Sequence, residues 1–155
     1  MVKHMIAQCA LGLTALCIAS ATSAAPAPTA DDAVAMVKEA AQYIKKNGKE
    51  KALAEFNNPK GHFVNGELYI VATALNGTVL ANAASPKMIG KNILDIKDSD
   101  GKLFVQEMVK VASNKNSGWV NFRWPNPVTQ TIESKTTYIE RFDDEMLLGG
   151  GIYKK

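Results

Sequence analysis

Between Gly118 and Tyr153 the chain reads GWVNFRWPNPVTQTIESKTTYIERFDDEMLLGGGIY, with three strand-like runs in close succession. The runs are Trp119–Trp124, Lys135–Phe142 and Met146–Tyr153. Turn chemistry separates them, Pro125-Asn126-Pro127 at the first break and Asp143-Asp144-Glu145 at the second. Connections this short favour an antiparallel meander, because a parallel return needs a longer crossover. The side chains are unusual for a plain core sheet. Arg123 sits between Phe122 and Trp124, Lys135 opens a strand that also carries Tyr138, and three glycines, Gly149–Gly151, lie inside the last strand. Glycine within a strand weakens it and marks a bulge or a close approach to the backbone. Cations, aromatic rings and open backbone on neighbouring strands predict a pocket for a small anion.

The beginning of the chain reads as an address. Met1-Val2-Lys3-His4 is a short positive region, Cys9–Ala19 is an apolar run of signal-peptide size, and Thr22-Ser23-Ala24-Ala25 offers small residues for cleavage. The apolar run falls short of the ~20 residues that cross a bilayer comfortably. The expected organisation is therefore a signal peptide over 1–24, a Pro/Ala linker over 25–30 and one domain over 31–155. The product is expected to be exported, periplasmic and soluble. An uncleaved anchor is the alternative reading of the leader. The whole chain has 18 Lys and Arg against 15 Asp and Glu, and the leader takes one Lys with it. The remaining balance is close to neutral with no basic cluster, so nucleic acid is not an expected partner. Both cysteines, Cys9 and Cys17, leave with the leader, which removes disulfides, thiolate nucleophiles and zinc-thiolate sites from consideration.

Thr29 followed by Asp32 resembles a capping box and predicts a helix to about Lys46, with Val37, Ala40, Ala41 and Ile44 on one face. That face suits packing on a sheet, and it equally suits pairing with a second copy as a homodimer. Asn47-Gly48 supplies the stop, and Lys49–Phe56 forms a second helical piece before Asn57-Asn58-Pro59. Leu68–Leu75 is apolar on both alternating sets, the pattern of a strand buried on both faces. Asn76-Gly77 predicts a type I′ hairpin into Thr78–Ala81. A further helix is expected from about Lys102 to Ser113. Asp98, Asp100, Gly101 and Glu107 partly mimic a calcium loop, but Ile96 stands where the first ligand belongs. The other reading of that stretch is a polar turn with Asp100 capping the helix. His62 has no companion at catalytic or metal-binding spacing. There is no phosphate-binding glycine loop and no Gly-x-Ser-x-Gly, so neither a cofactor nor an enzymatic activity is expected.

Taken in order, LYIVATALNGTVLA, MIGKNILDIKDSDGK, GWVNFRWPNP, SKTTYIERF and GGGIYKK resemble a single Cache domain of the type 2 class. Gly77, Gly90, Asp98, Gly101, the Trp124-Pro125-x-Pro127 run, Lys135, Tyr138, Gly151 and Tyr153 fall where that family has its signature residues. The likeness runs from about Ala30 to the end of the chain. It implies an α+β, PAS-like fold: an antiparallel sheet with a long N-terminal helix and a short helix before a C-terminal three-strand meander. It also implies an extracytoplasmic sensor with a ligand cavity on one sheet face. The implied ligands are short carboxylates of the acetate, propionate, pyruvate and lactate kind. Phe122 stands where the family commonly has Tyr, which removes one hydroxyl. Typical members run on into a membrane helix and a signalling module, whereas this chain is expected to be a stand-alone domain with no output of its own.

The leading expectation is a binding protein for a small organic anion. Lys135 is the main cation, Arg123 the second, and Trp124, Phe122, Tyr69 and Tyr138 supply walls and hydroxyls. Arg123 alternates with Phe122 and Trp124, so the three share a face only if the strand carries a bulge. The alternative is an interaction module that docks through its helix on a membrane-bound sensor protein, its cavity empty or vestigial.

Overall fold

A computed structural model of the chain describes residues 26–154. The expected leader lies outside the described residues. The first element, α1 (Ala30–Asn47), starts at a complete capping box: Asp32 N–H donates to Thr29 Oγ1 at 3.2 Å and Thr29 N–H donates to Asp32 Oδ2 at 2.8 Å. It stops at Gly48, whose positive φ of 86° suits glycine and whose N–H donates to Ile44 O. After that break the chain forms α2 (Lys49–Phe56). Among the described residues, no helix is long and apolar enough to cross a membrane.

Six strands follow in one antiparallel sheet: β1 (Val64–Asn65), β2 (Leu68–Ala74), β3 (Val79–Asn82), β4 (Ser117–Pro125), β5 (Ile132–Arg141) and β6 (Met146–Tyr153). The order is β1-β2-β6-β5-β4, with β3 also paired to β2. The expected meander is β4-β5-β6, and β2 closes against β6 with Ile70 opposite Gly150 and Ala74 opposite Met146. This is the α+β, PAS-like arrangement that the sequence predicts.

The hairpin between β2 and β3 is not the expected type I′ turn. Gly77 alone has positive φ, at 90°, and the turn is closed by Gly77 N–H donating to Ala74 O at 2.8 Å. Three residues, with glycine last, make this connection, and that is the other common way to match strand twist. The long segment after β3 then runs back over the hairpin. Val79 N–H donates to Lys91 O, Gly90 N–H to Val79 O, and Ile93 N–H to Gly77 O. A β-carbon on Gly77 would lie 2.7 Å from Leu94 Cβ, so the returning segment also holds that position to glycine. The last helix, α3 (Phe104–Lys115), starts two residues later than predicted, and Leu103 rather than Asp100 occupies its cap.

Side-chain alternation divides the core in two. Even-numbered residues of β2 and β6 face α1 and α2, where Val37, Ala40, Phe56, Ile70, Met146 and Leu148 are fully buried. Gly150 belongs to this face: a β-carbon there would sit 3.0 Å from Val37 Cγ2 and 3.2 Å from Ala33 O, so α1 packs directly on the β6 backbone. Odd-numbered residues of β2, β5 and β6, together with the even-numbered ones of β4, face α3 and the returning segment, where Phe104, Val105, Phe122, Ile139 and Leu147 form the second core.

Candidate ligand-binding site

The second core is not filled. A cavity of about 60 Å³ lies between the sheet and α3. A single water needs about 10–15 Å³, so the space admits roughly four to six water-sized groups. Its floor is the odd face of the sheet: Tyr69, Val71 and Thr73 from β2, Lys135, Thr137 and Ile139 from β5, and Leu147, Gly149 and Gly151 from β6. Phe122 and Trp124 of β4 form one wall, and Phe104 stacks on Phe122 with ring centroids 4.3 Å apart. Met88 and Ile93 of the returning segment and Met108 of α3 complete the apolar part.

Lys135 is the cation of this cavity. It is only 4% exposed. Its Nζ donates to the Tyr69 hydroxyl at 2.9 Å and to the Tyr153 hydroxyl at 3.3 Å, and it stands 4.1 Å and 4.7 Å from the centroids of the same two rings. Phenol oxygens and ring faces are soft compensation for a buried ammonium. Among the described residues Lys135 forms no ion pair with a carboxylate. A buried charge without a counter-charge is costly, and the cavity beside Lys135 has room for a small anionic group.

The support behind Lys135 comes from the loop after β4. The Tyr153 hydroxyl donates to Pro125 O at 2.8 Å. Asn126 fixes that loop: its Oδ1 accepts from Val128 N–H and its Nδ2 donates to Glu67 and Glu133, each at 3.0 Å. Burial, followed by the neighbouring Tyr69, Glu67 and Glu133, raises the Tyr153 hydroxyl far above the ordinary tyrosine range, so it stays a neutral donor.

Tyr69, Phe122, Trp124 and Lys135 thus meet around one cavity. Arg123 and Tyr138 do not, and the expectation for them is corrected. Arg123 points from the other face of β4, where it is paired across the ladder with Ser134 and its guanidinium reaches Ile132 O at 3.4 Å. No bulge interrupts the β4–β5 register from Ser117 to Pro125, so Arg123 cannot join Phe122 and Trp124. Tyr138 is three residues from Lys135 and therefore on the opposite face, where it packs beside Trp119 and against the α1 core, its hydroxyl donating to Glu140 at 3.2 Å. Thr137 is absent from the sequence-based site, and Gly149, Gly151 and Tyr153 entered it only as open backbone or as family signature positions and not as candidate ligand contacts. The two-residue period counted from Lys135 was the signal for Thr137. Met88, Ile93 and Met108 arrive by tertiary packing and leave no local trace.

The calcium-like stretch serves another purpose. Asp98 Oδ1 accepts from the N–H groups of Asp100 and Lys102, and Oδ2 accepts from Arg123 N–H at 2.9 Å, tying the loop to β4. Glu107 pairs with Lys102 at 2.8 Å. His62 pairs with Glu39 on the surface.

Residues 22–155 match the profile of the family described as Single Cache domain 2. The chain belongs to that family. A Cache chemosensory domain, solved to explain carboxylic acid recognition, superposes on this one with a TM-score of 0.69 at 27% identity, over 81% of this chain and 92% of that one. A methyl-accepting chemotaxis protein from Vibrio parahaemolyticus superposes with a TM-score of 0.70 over 79% of this chain and 86% of that one, and at 22% identity it speaks for the fold alone. The methyl-accepting chemotaxis protein McpP of Pseudomonas putida is 33% identical over 86 residues, which is 55% of this chain and 16% of McpP. This Cache domain therefore corresponds to a small part of that receptor's length.

Proposed function

We propose that this Cache domain is an extracytoplasmic sensor domain that binds a monocarboxylate of two to four carbons. One observation carries the reading: a buried lysine with no carboxylate partner among the described residues faces a small, largely apolar cavity. The charge calls for an anion, and the apolar walls call for a short hydrocarbon portion. The volume suits four to six heavy atoms, which is the span from acetate to pyruvate and lactate. The carboxylic acid recognition studied in the related chemosensory domain supports the same ligand class. The chemistry asked of the site is reversible binding, with no nucleophile or base required.

Size bounds the affinity. At a ceiling of ~1.5 kcal/mol per heavy atom, acetate gains at most ~6 kcal/mol, which corresponds to a Kd of roughly tens of micromolar. A charge-assisted hydrogen bond from Lys135 supplies ~1.5–3 kcal/mol of such a total. Calorimetric titration with acetate, propionate, pyruvate and lactate tests the reading. The expected outcome is micromolar binding of at least one of them, weakened roughly ten- to a hundredfold in Lys135→Met. The variant should fold as well as the wild type, because exchanging a buried charge for an apolar side chain of similar volume is often neutral or stabilising. Millimolar or weaker binding of all four acids, or unchanged binding in Lys135→Met, would rule out the anion pocket.

A further inference from the structure

Thr137 carries an unexplained polar atom. The residue is 5% exposed, and its Oγ1 has no hydrogen-bond partner among the described residues. A buried hydroxyl left unpaired costs stability, and such groups are uncommon in folded proteins. This one lines the cavity. Thr137 lies two residues after Lys135 on β5 and shares its face. Across the ladder Thr137 pairs with Gly151. A β-carbon on Gly151 would collide with Thr137 Oγ1 and would come within 2.5 Å of Lys135 Cε. The hydroxyl and the end of the lysine stem therefore converge on one point above a glycine. The methyl group turns the other way, toward Gly149, where Thr137 Cγ2 would lie 3.3 Å from an added β-carbon.

Resting on the anion-pocket reading above, we propose that Thr137 is a second recognition residue for the ligand, its Oγ1–H donating to the carboxylate that Lys135 neutralises. A carboxylate has two oxygens and accepts from several donors at once. The lysine supplies charge and the threonine supplies direction. The bound acid gives the hydroxyl a partner that no other described residue supplies. Most of the surrounding wall is apolar, and the buried polar residues Thr73 and Asn82 on the same cavity make no hydrogen bond to Thr137 Oγ1.

Propionate, calorimetry and thermal melting test this with three variants. Thr137→Val keeps the shape and removes the hydroxyl. It should weaken propionate binding roughly tenfold or more, the usual effect of a lost hydrogen bond to a charged group. In the same variant the melting temperature of the free protein should hold or rise, since no existing bond is lost. A threonine with a structural hydrogen bond would instead lower it. Thr137→Ser should restore most of the affinity. In a cycle with Lys135→Met, the two losses should be less than additive, because both groups hold one carboxylate. Unchanged propionate binding in Thr137→Val, alongside a loss in Lys135→Met, would overturn the Thr137 role and leave the anion pocket standing. A wild type that binds none of the short acids would overturn both.

Discussion

Lys135 Nζ and the Tyr69 hydroxyl lie 2.9 Å apart although 66 residues separate them in sequence. Lys135 belongs to β5 and Tyr69 to β2, and β6 runs between those strands. The lysine stem crosses β6 above Gly151, where the absence of a side chain leaves it room. The cation thus ties three strands of the sheet together on the cavity side. Tyr153, directly opposite Lys135 in the β5–β6 ladder, steadies it from the end of the last strand.

Tyr153 gives this arrangement an alkaline signature. Its hydroxyl is raised well above the ordinary tyrosine value near 10, first by burial and then by Tyr69 and the nearby acids. A folded-state value above the unfolded one means that the contribution is complete below pH ~10 and is lost as pH rises beyond it, because the unfolded chain ionises first. Tyr153→Phe removes the titrating group and also the hydrogen bond to Pro125 O. At neutral pH the variant should be less stable by ~1 kcal/mol. Above pH ~10 that gap should narrow, as the wild type alone carries the penalty of keeping a neutral phenol. Urea unfolding at neutral and alkaline pH measures both.

Arg123 and Tyr138 provide the counter-test. Both project from the face opposite the cavity. Arg123→Met and Tyr138→Phe should each bind the preferred carboxylate within about twofold of wild type, because residues without shared partners behave independently. Calorimetry on the two variants checks this. A loss comparable to that of Lys135→Met would mean that β4 or β5 carries a bulge in solution.

These two residues also show what was legible in the sequence and what was not. The elements were legible because each carries its own signal. Thr29 and Asp32 start α1, Gly48 ends it, and the apolar run at Leu68 marks a strand covered on both sides. The cation Lys135 and its aromatic neighbours were legible as a family pattern. The face each residue takes depends on unbroken register, and the Trp124-Pro125 corner left open a bulge that the structure does not contain. Strict alternation from Lys135 selects Thr137 and excludes Tyr138. The roof of the cavity was not legible, since Met88 and Ile93 reach it through the hydrogen bonds that join Gly90, Lys91 and Ile93 of the returning segment to Gly77 and Val79. The Asn76-Gly77 turn was placed correctly, but its type was not, because a glycine with positive φ serves two hairpin geometries equally well.

Asp98 should respond to acid and not to calcium. Its carboxyl is held below the ordinary value of 3.8, chiefly by the Arg123 N–H and next by the Lys102 N–H. A depressed folded-state value gives stability that is present above pH ~4 and is lost as pH falls through the folded value. Asp98→Ala should therefore melt lower than wild type at neutral pH, and the difference should shrink under acid. Adding calcium or a chelator should move neither curve, since both carboxylate oxygens already accept from backbone N–H groups. A calcium-dependent rise in the wild-type melting point would contradict this.

Gly151 offers the sharpest separation of site from scaffold. Its φ is ordinary, so alanine brings no backbone strain, and the whole effect comes from where the methyl group lands. That place is 2.5 Å from Lys135 Cε and against Thr137 Oγ1, closer than real β-carbons come. The lysine stem is flexible and yields first, which lifts Nζ away from the Tyr69 and Tyr153 hydroxyls. Gly151→Ala should cost ~1–3 kcal/mol in stability, the usual range for overpacking a core by one methyl group. Its effect on carboxylate binding should equal or exceed that of Lys135→Met, roughly ten- to a hundredfold or more, because the methyl group both displaces the cation and occupies cavity space. Gly150→Ala is the matched control. Its methyl group would meet Val37 Cγ2 and Ala33 O under α1, so it should lower the melting temperature while the folded fraction binds normally. Thermal melts and calorimetry on the pair decide the matter, and equal binding losses in both variants would mean that the triple glycine serves packing alone.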